Sequence, residues 1–188
     1  MLAVPSSPAW VEAVLGDFDT FLLDHAANER KASAMAMSLL AHYQDRERLC
    51  EEMIDLALEE LNHFRQVYRL IQERGLTLAA DEKDPYVNAI RAEVRRGKDE
   101  YFLDRLLTGA IIEARGAERF TLIAQALEEG SLKTFYRTLA RSEGNHHQLF
   151  IELAHHYFAK PEVDARLADW VTIEADIISD LPIRPYLH

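Results

Sequence analysis

Apolar residues recur at intervals of three and four along most of this chain, and four long segments carry such a stripe. The first covers about residues 17–43, where Leu22, Ala26, Ala32, Ala36 and Leu40 align. The second opens at Asp45-Arg46-Glu47-Arg48 and carries Met53, Leu56, Ala57, Phe64, Val67 and Ile71. It stops at Gly75, the residue type that most readily takes the left-handed conformation of a helix C-terminus. These two are expected to form an antiparallel hairpin. Residues 76–83 read as a crossover, and Asp84-Pro85 starts a short charged helix to about residue 96, ended by Gly97. A third long helix, about residues 100–129, presents Leu103, Leu106, Ala110, Ala117, Phe120 and Ala124 before Gly130-Ser131, and a fourth covers about residues 132–158. Pro161 begins a last amphipathic helix to about residue 180, and the tail with its two prolines is expected to be extended.

Composition agrees with an all-α chain. Only 7 Gly and 6 Pro occur in 188 residues, and 48% hydrophobic content suffices for one buried core, so residues 1–188 are expected to form a single domain. Cys50 is the only cysteine, which excludes an internal disulfide and any thiolate-held metal cluster. A metal here must use carboxylates and imidazoles. The N-terminal residues lack the basic start and apolar run of a signal peptide, and no apolar stretch reaches membrane-spanning length, so a cytoplasmic protein with no membrane association is expected. A net charge of -11 argues against diffuse attraction to a phosphate backbone, so a nucleic-acid partner would require a local basic patch.

Glu60-Leu61-Asn62-His63 and Glu143-Gly144-Asn145-His146 each place a carboxylate and an imidazole three residues apart, on one helix face. With 19 Glu and 8 His, chance alone supplies about one such match, and Glu152 with His155 is a third. Context separates them. Glu60 aligns with Met53, Ala57, Phe64 and Val67, and Glu143 with Tyr136, Leu139, Ala140 and Phe150, whereas Glu152 and His155 lie about half a turn away around the helix. The third match reads as a surface decoy.

The other two long helices each carry one acid on the apolar stripe. Glu29 lies among Leu22, Ala26, Ala32 and Ala36, and Glu113 among Leu106, Ala110, Ala117 and Phe120. Glu118 competes with Glu113 but lies about 140° around the helix, so Glu113 is preferred. Four inward carboxylates would repel one another without cations, and two divalent ions remove that penalty. The spacings Glu29 to Glu60, 31 positions, and Glu113 to Glu143, 30 positions, suggest a duplicated helical hairpin. One Glu from each of two helices plus a Glu-x-x-His from each of the others is the ligand set of ferritin-like di-iron and di-manganese bundles. The expected fold is thus a ferritin-like four-helix bundle with an additional short insertion helix and a C-terminal helix. The bland alternative pairs these acids with arginines, Glu29 with Arg30 or Glu113 with Arg115.

Four stretches sharpen this reading: Asp24-His-Ala-Ala-Asn-Glu-Arg-Lys-Ala-Ser-Ala34, Glu59-Glu-Leu-Asn-His-Phe64, Gly109-Ala-Ile-Ile-Glu-Ala-Arg-Gly-Ala-Glu-Arg119 and Arg141-Ser-Glu-Gly-Asn-His-His147. In these the chain resembles the tRNA 2-methylthio-isopentenyl-adenosine hydroxylase family, ferritin-like non-haem di-iron monooxygenases acting on the hypermodified purine next to the tRNA anticodon. The resemblance implies that Glu29, Glu60, His63, Glu113, Glu143 and His146 hold two iron ions and form the catalytic centre. It also implies O2 as co-substrate, an external reductant delivered by an electron-donating reductase, the tRNA anticodon loop as partner, and hydroxylation of an isopentenyl methyl group. A ferritin- or rubrerythrin-like storage or peroxide-detoxifying protein would use the same ligands and is the alternative. A monomer or small oligomer is compatible with the enzyme, and a large shell would favour storage.

Secondary candidates follow from position. Arg91, Arg95, Arg96 and Lys98 cluster at the insertion helix, and Arg30, Lys31, Arg115 and Arg119 lie near the ligand carboxylates, so both groups are candidates to grip the anticodon loop, against the plainer reading of a solvated, salt-bridged surface. Tyr136 is read as core packing rather than a radical site. His25 and His147, one turn from Glu29 and Glu143, are candidates for orienting those carboxylates, and His42, His155, His156 and His188 are read as surface residues.

Overall fold

In a computed structural model that describes residues 2–188, the chain is helical, and no strand occurs among the described residues. Among the described residues seven helices follow in order: α1 (Pro8–Gly16), α2 (Phe18–His42), α3 (Glu47–Glu73), α4 (Pro85–Ala92), α5 (Lys98–Ala126), α6 (Ser131–Tyr157) and α7 (Lys160–Asp180). The helices fall into two compact units, one comprising residues 12–82 and 184–187, the other residues 2–11, 83–183 and 188.

The first unit is the α2–α3 hairpin, closed by the four residues 43–46. Asp17 caps α2 by accepting from the Thr20 amide at 3.2 Å. Gly75, at φ +71°, ends α3 as expected, with its own amide donating to the Gln72 carbonyl at 2.9 Å and the Leu76 amide to the Ile71 carbonyl at 3.0 Å. Phe21, Leu22, Ala36 and Leu39 of α2, and Leu49, Met53, Val67 and Ile71 of α3, are fully buried. The crossover is tied back to α2: Arg30 pairs with Asp81, and the Lys31 ammonium donates to the Glu82 carbonyl at 3.2 Å. The chain end returns to the same helix, where the Leu187 amide donates to the Asp24 carboxylate at 2.7 Å.

The second unit is built on the α5–α6 hairpin, with α4 and α7 packed against it. Phe102, Leu103, Leu106 and Ala110 of α5 and Tyr136, Phe150 and Leu153 of α6 fill its core, joined by Trp170 of α7. Gly109 permits the close approach of the two long helices, since a Cβ there would sit 3.0 Å from the Phe150 ring. Tyr136 packs between Phe120 and Phe135, in keeping with its reading as a core residue.

Three features depart from the sequence expectation. α1 was not anticipated, because nine residues are too few for a readable stripe. The insertion helix ends at Ala92 rather than near residue 96, because Arg95 turns toward α5, its amide and guanidinium both donating to the buried Asp104 carboxylate at 2.9–3.1 Å. Gly97 therefore caps the start of α5 instead of ending α4. His188 is also no surface residue: its side chain is 5% exposed and stacks on Tyr86 with ring centroids 5.0 Å apart.

Candidate metal centre

Each unit gathers one acid–acid–imidazole cluster from its own hairpin. In the first, Glu29 comes from α2 and Glu60 and His63 from successive turns of α3, with potential ligand atoms within 4.8 Å of one another. In the second, Glu113 of α5 meets Glu143 and His146 of α6 under the same limit. All six residues are 6% exposed or less. The geometry repeats because the i, i+3 spacing puts Glu and His on one face of α3 and of α6, while the 30- and 31-residue spacings bring the partner acid across each hairpin. His63 Nδ1 lies 3.4 Å from Glu60 and 3.5 Å from Glu29, and His146 Nδ1 lies 3.3 Å from Glu143 and 3.9 Å from Glu113.

Electrostatics of the first cluster show why it needs a cation. Two carboxylates about 4 Å apart repel by about 4 kcal/mol at an effective dielectric of about 20. Burial would push Glu29 up, but hydrogen bonds from His25 and His63 outweigh it and hold the carboxyl well below the ordinary range. Burial would likewise depress His63, yet bonding to Glu29 and Glu60 pushes it up to about 10. A proton on the imidazole thus occupies the electrostatic role that a metal cation would fill.

The two clusters are not identical. His25 Nε2–H donates to Glu29 Oε1 at 2.6 Å from one helical turn away, fixing that carboxylate. The corresponding position before Glu113 is Gly109, which has no side chain to do so. His147 does not touch Glu143; its Nδ1–H donates to the Ala110 carbonyl at 2.7 Å and so ties α6 to α5.

Most of the cations expected to neutralise these acids, or to grip RNA, are committed elsewhere, while Arg91, Arg96 and Lys98 stay exposed. Arg30 is paired with Asp81. Arg115 is fully buried and bonds Glu174 of α7 at 2.7 Å, Glu118 at 3.1 Å and the Val4 carbonyl at 2.8 Å. Arg119 is 5% exposed, lies over the Trp10 ring at 4.5 Å and donates to Ser6 at 3.1 Å; burial and the neighbouring Arg115 charge push its pKa down to about 10. The ion-pair alternative for Glu29 and Glu113 therefore fails, as does a nucleic-acid role for Arg115 and Arg119. Glu118 accepts from Ser6 and Arg115, which removes it as a rival to Glu113. Glu152 is exposed, and His155 faces Asp164 at 3.5 Å, as a decoy should. Arg95 leaves the insertion-helix cluster for Asp104, where Arg166 joins it; against the opposing effect of burial, these two guanidiniums lower Asp104 to about 2. Sequence reasoning missed Asp104 and Glu174, whose only signal was an acid on an otherwise apolar helix face.

Among known proteins, this chain is 41% identical over 156 residues to the tRNA 2-(methylsulfanyl)-N(6)-isopentenyladenosine(37) hydroxylase of Pseudomonas putida, a match spanning 83% of this chain and 76% of that one. It is 37% identical over 131 residues to the Salmonella typhimurium protein of the same name, covering 70% of this chain and 48% of the relative. Among solved structures it is similar to "Protein 43 with aldehyde deformylating oxygenase activity from Synechococcus", with a TM-score of 0.94 and 32% identity, covering 100% of this chain and 94% of that one. That likeness agrees with the expected all-α, ferritin-like class. The sequence model of one family matches residues 1–188 throughout, and the chain belongs to that family, tRNA-(MS[2]IO[6]A)-hydroxylase (MiaE).

Proposed function

We propose that this protein is an O2-dependent di-iron monooxygenase that hydroxylates the isopentenyl group of 2-methylthio-isopentenyl-adenosine next to the tRNA anticodon. The observation that carries the reading is the repeated cluster: each unit buries two carboxylates and one imidazole within ligand distance, in a chain whose relatives are named for this hydroxylation. The donor set fits iron, since carboxylate oxygens and imidazole nitrogens suit a divalent first-row metal, and no thiolate is at hand to select a softer one. In this reading Glu29, Glu60 and His63 hold one side of the pair, and Glu113, Glu143 and His146 the other.

When bound, two iron ions supply what side chains cannot: activation of O2 toward an unactivated carbon. Overall, a C–H bond becomes C–OH, one oxygen atom of O2 enters the product and the other leaves as water, with two electrons from an external reductant and two protons. The protein's own residues hold the carboxylates in register, His25 by hydrogen bonding Glu29, and keep the donors buried away from bulk water. In this reading a tRNA substrate supports a cytoplasmic location. No helix among the described residues is long and apolar enough to cross a membrane.

The test is nucleoside analysis of tRNA from a strain lacking this modification, after incubation with iron-loaded protein, reductant and O2. Conversion of the isopentenyl nucleoside to its hydroxylated form is expected. Unchanged tRNA, with O2 consumed and ferric iron accumulating on a large protein shell, would instead establish the storage alternative.

A further inference from the structure

Of the cations that the sequence offers to the anticodon loop, Arg30, Lys31, Arg95, Arg115 and Arg119 are paired or buried, Arg91, Arg96 and Lys98 stay exposed at the insertion helix, and a further group of exposed cations lies on α6. The α5–α6 hairpin carries a groove of about 590 Å³ near its turn, walled by Thr121, Ala124 and Gln125 on one helix and by Lys133, Arg137 and Arg141 on the other. The three cations recur every four residues, so they form one stripe along α6 with successive charges about 6 Å apart, comparable with the separation of neighbouring phosphates on a nucleic-acid strand.

The charge balance of this face is unlike the rest of the molecule. The chain carries -11 overall, yet between Ser131 and Ile151 the only acid is Glu143, which is buried. The facing wall of α5 has no charged residue from Phe120 to Leu127. Glu129 is the one acid lining the groove; it pairs with Lys133 at 2.9 Å. Arg137 and Arg141 are exposed, and neither forms a salt bridge or hydrogen bond among the described residues, although Arg137 acts on Glu129 at longer range. Two guanidiniums held over a groove without a carboxylate partner are arranged to receive an anion. Along the axis the stripe reaches the level of the candidate ligands, with Arg141 about 3 Å before Glu143, but the two residues between them turn it about 200° around α6, so it lies on the outer face while Glu143 is buried.

We propose that this groove seats the phosphate backbone of the tRNA substrate, with Arg137 and Arg141 contacting phosphates and Lys133 closing the end of the stripe. The proposal rests on the tRNA reading above and adds where the RNA is gripped. Such contacts carry no base information; they set affinity and register through counterion release.

The test is fluorescence-anisotropy binding of a labelled tRNA transcript by the full-length protein across a salt series. The double variant Arg137→Gln/Arg141→Gln should bind more weakly, with a log–log salt slope shallower by about two. Arg137→Lys/Arg141→Lys should keep most of the slope, and Arg69→Gln/Lys160→Gln, which removes two exposed charges elsewhere, should leave it unchanged. Thermal unfolding checks that each variant is folded. A glutamine double variant with the parental slope overturns the surface, and so does an equal loss in the Arg69/Lys160 control. A parent protein that does not bind tRNA overturns both the surface and the functional reading. The expected slope change in a protein that fails to hydroxylate tRNA leaves the surface standing and the functional reading refuted.

Discussion

Replacing Glu174 by Leu tests whether Arg115 is a structural cation or an RNA-facing one. Both side chains are fully buried, with the guanidinium 2.7 Å from Glu174 Oε1, and the Tyr86 hydroxyl donates to the same oxygen at 3.2 Å. Removing one partner of a buried ion pair leaves an uncompensated charge and costs about 3–5 kcal/mol. Arg115 retains Glu118, whose side chain is 24% exposed, together with the Val4 carbonyl and Ser6, so the lower end, about 3 kcal/mol, is expected. In a chain of this size each kcal/mol moves Tm by about 2–4 °C, hence a fall of roughly 6–12 °C. Urea unfolding followed by circular dichroism should show a lower midpoint at constant slope. The double variant Arg115→Met/Glu174→Leu should recover most of the loss, because an apolar pair of similar volume replaces a buried ion pair at little cost. A single-variant loss below about 1 kcal/mol, or a double variant worse than the sum of its parts, would refute the reasoning.

Three further outcomes are expected. His25→Leu removes the donor to Glu29 and should weaken anaerobic Fe(II) binding by about 10–100-fold, with His25→Gln intermediate; equal affinity in all three proteins would deny His25 a positioning role. Because the metal-free cluster keeps a proton on His63 up to about pH 10 and ligation needs the neutral ring, metal loading at neutral pH should release that proton, and affinity should rise with pH below that value. Indicator titration in weak buffer reads this directly, and a flat affinity between about pH 7 and pH 9 would exclude it. Asp104, lowered from its ordinary 3.8 to about 2 against burial by Arg166 and Arg95, contributes stability that is present above the unfolded value and lost as pH falls through about 2. Acid unfolding of Asp104→Asn should therefore lack part of that limb, and identical acid profiles would contradict the pairing.

The long helices and the six candidate ligands were legible because both are local, periodic facts. An apolar residue every three or four positions specifies a helix face, and Glu60 with His63 or Glu143 with His146 share a face whatever surrounds them. Gly75 was legible as a stop because a left-handed residue is a backbone requirement visible in one letter. The short α1 and the early end of α4 were not, since nine residues carry little period and Arg95 leaves the helix for a carboxylate nine positions away.

Partner choice lay beyond the sequence. Arg115 lies only two positions after Glu113, yet the guanidinium pairs with Glu174 across 59 residues, because side chains two apart on a helix diverge by about 200°. The chain by itself determined which residues share a helix face, and with that the composition of each acid–imidazole cluster. Only the tertiary structure decided which charges are buried and answered, leaving Arg137 and Arg141 exposed over the groove while Arg115 and Arg119 are sealed inside. The reason is that hydrogen bonding and burial depend on distances between segments far apart in sequence, which periodicity along one helix does not encode.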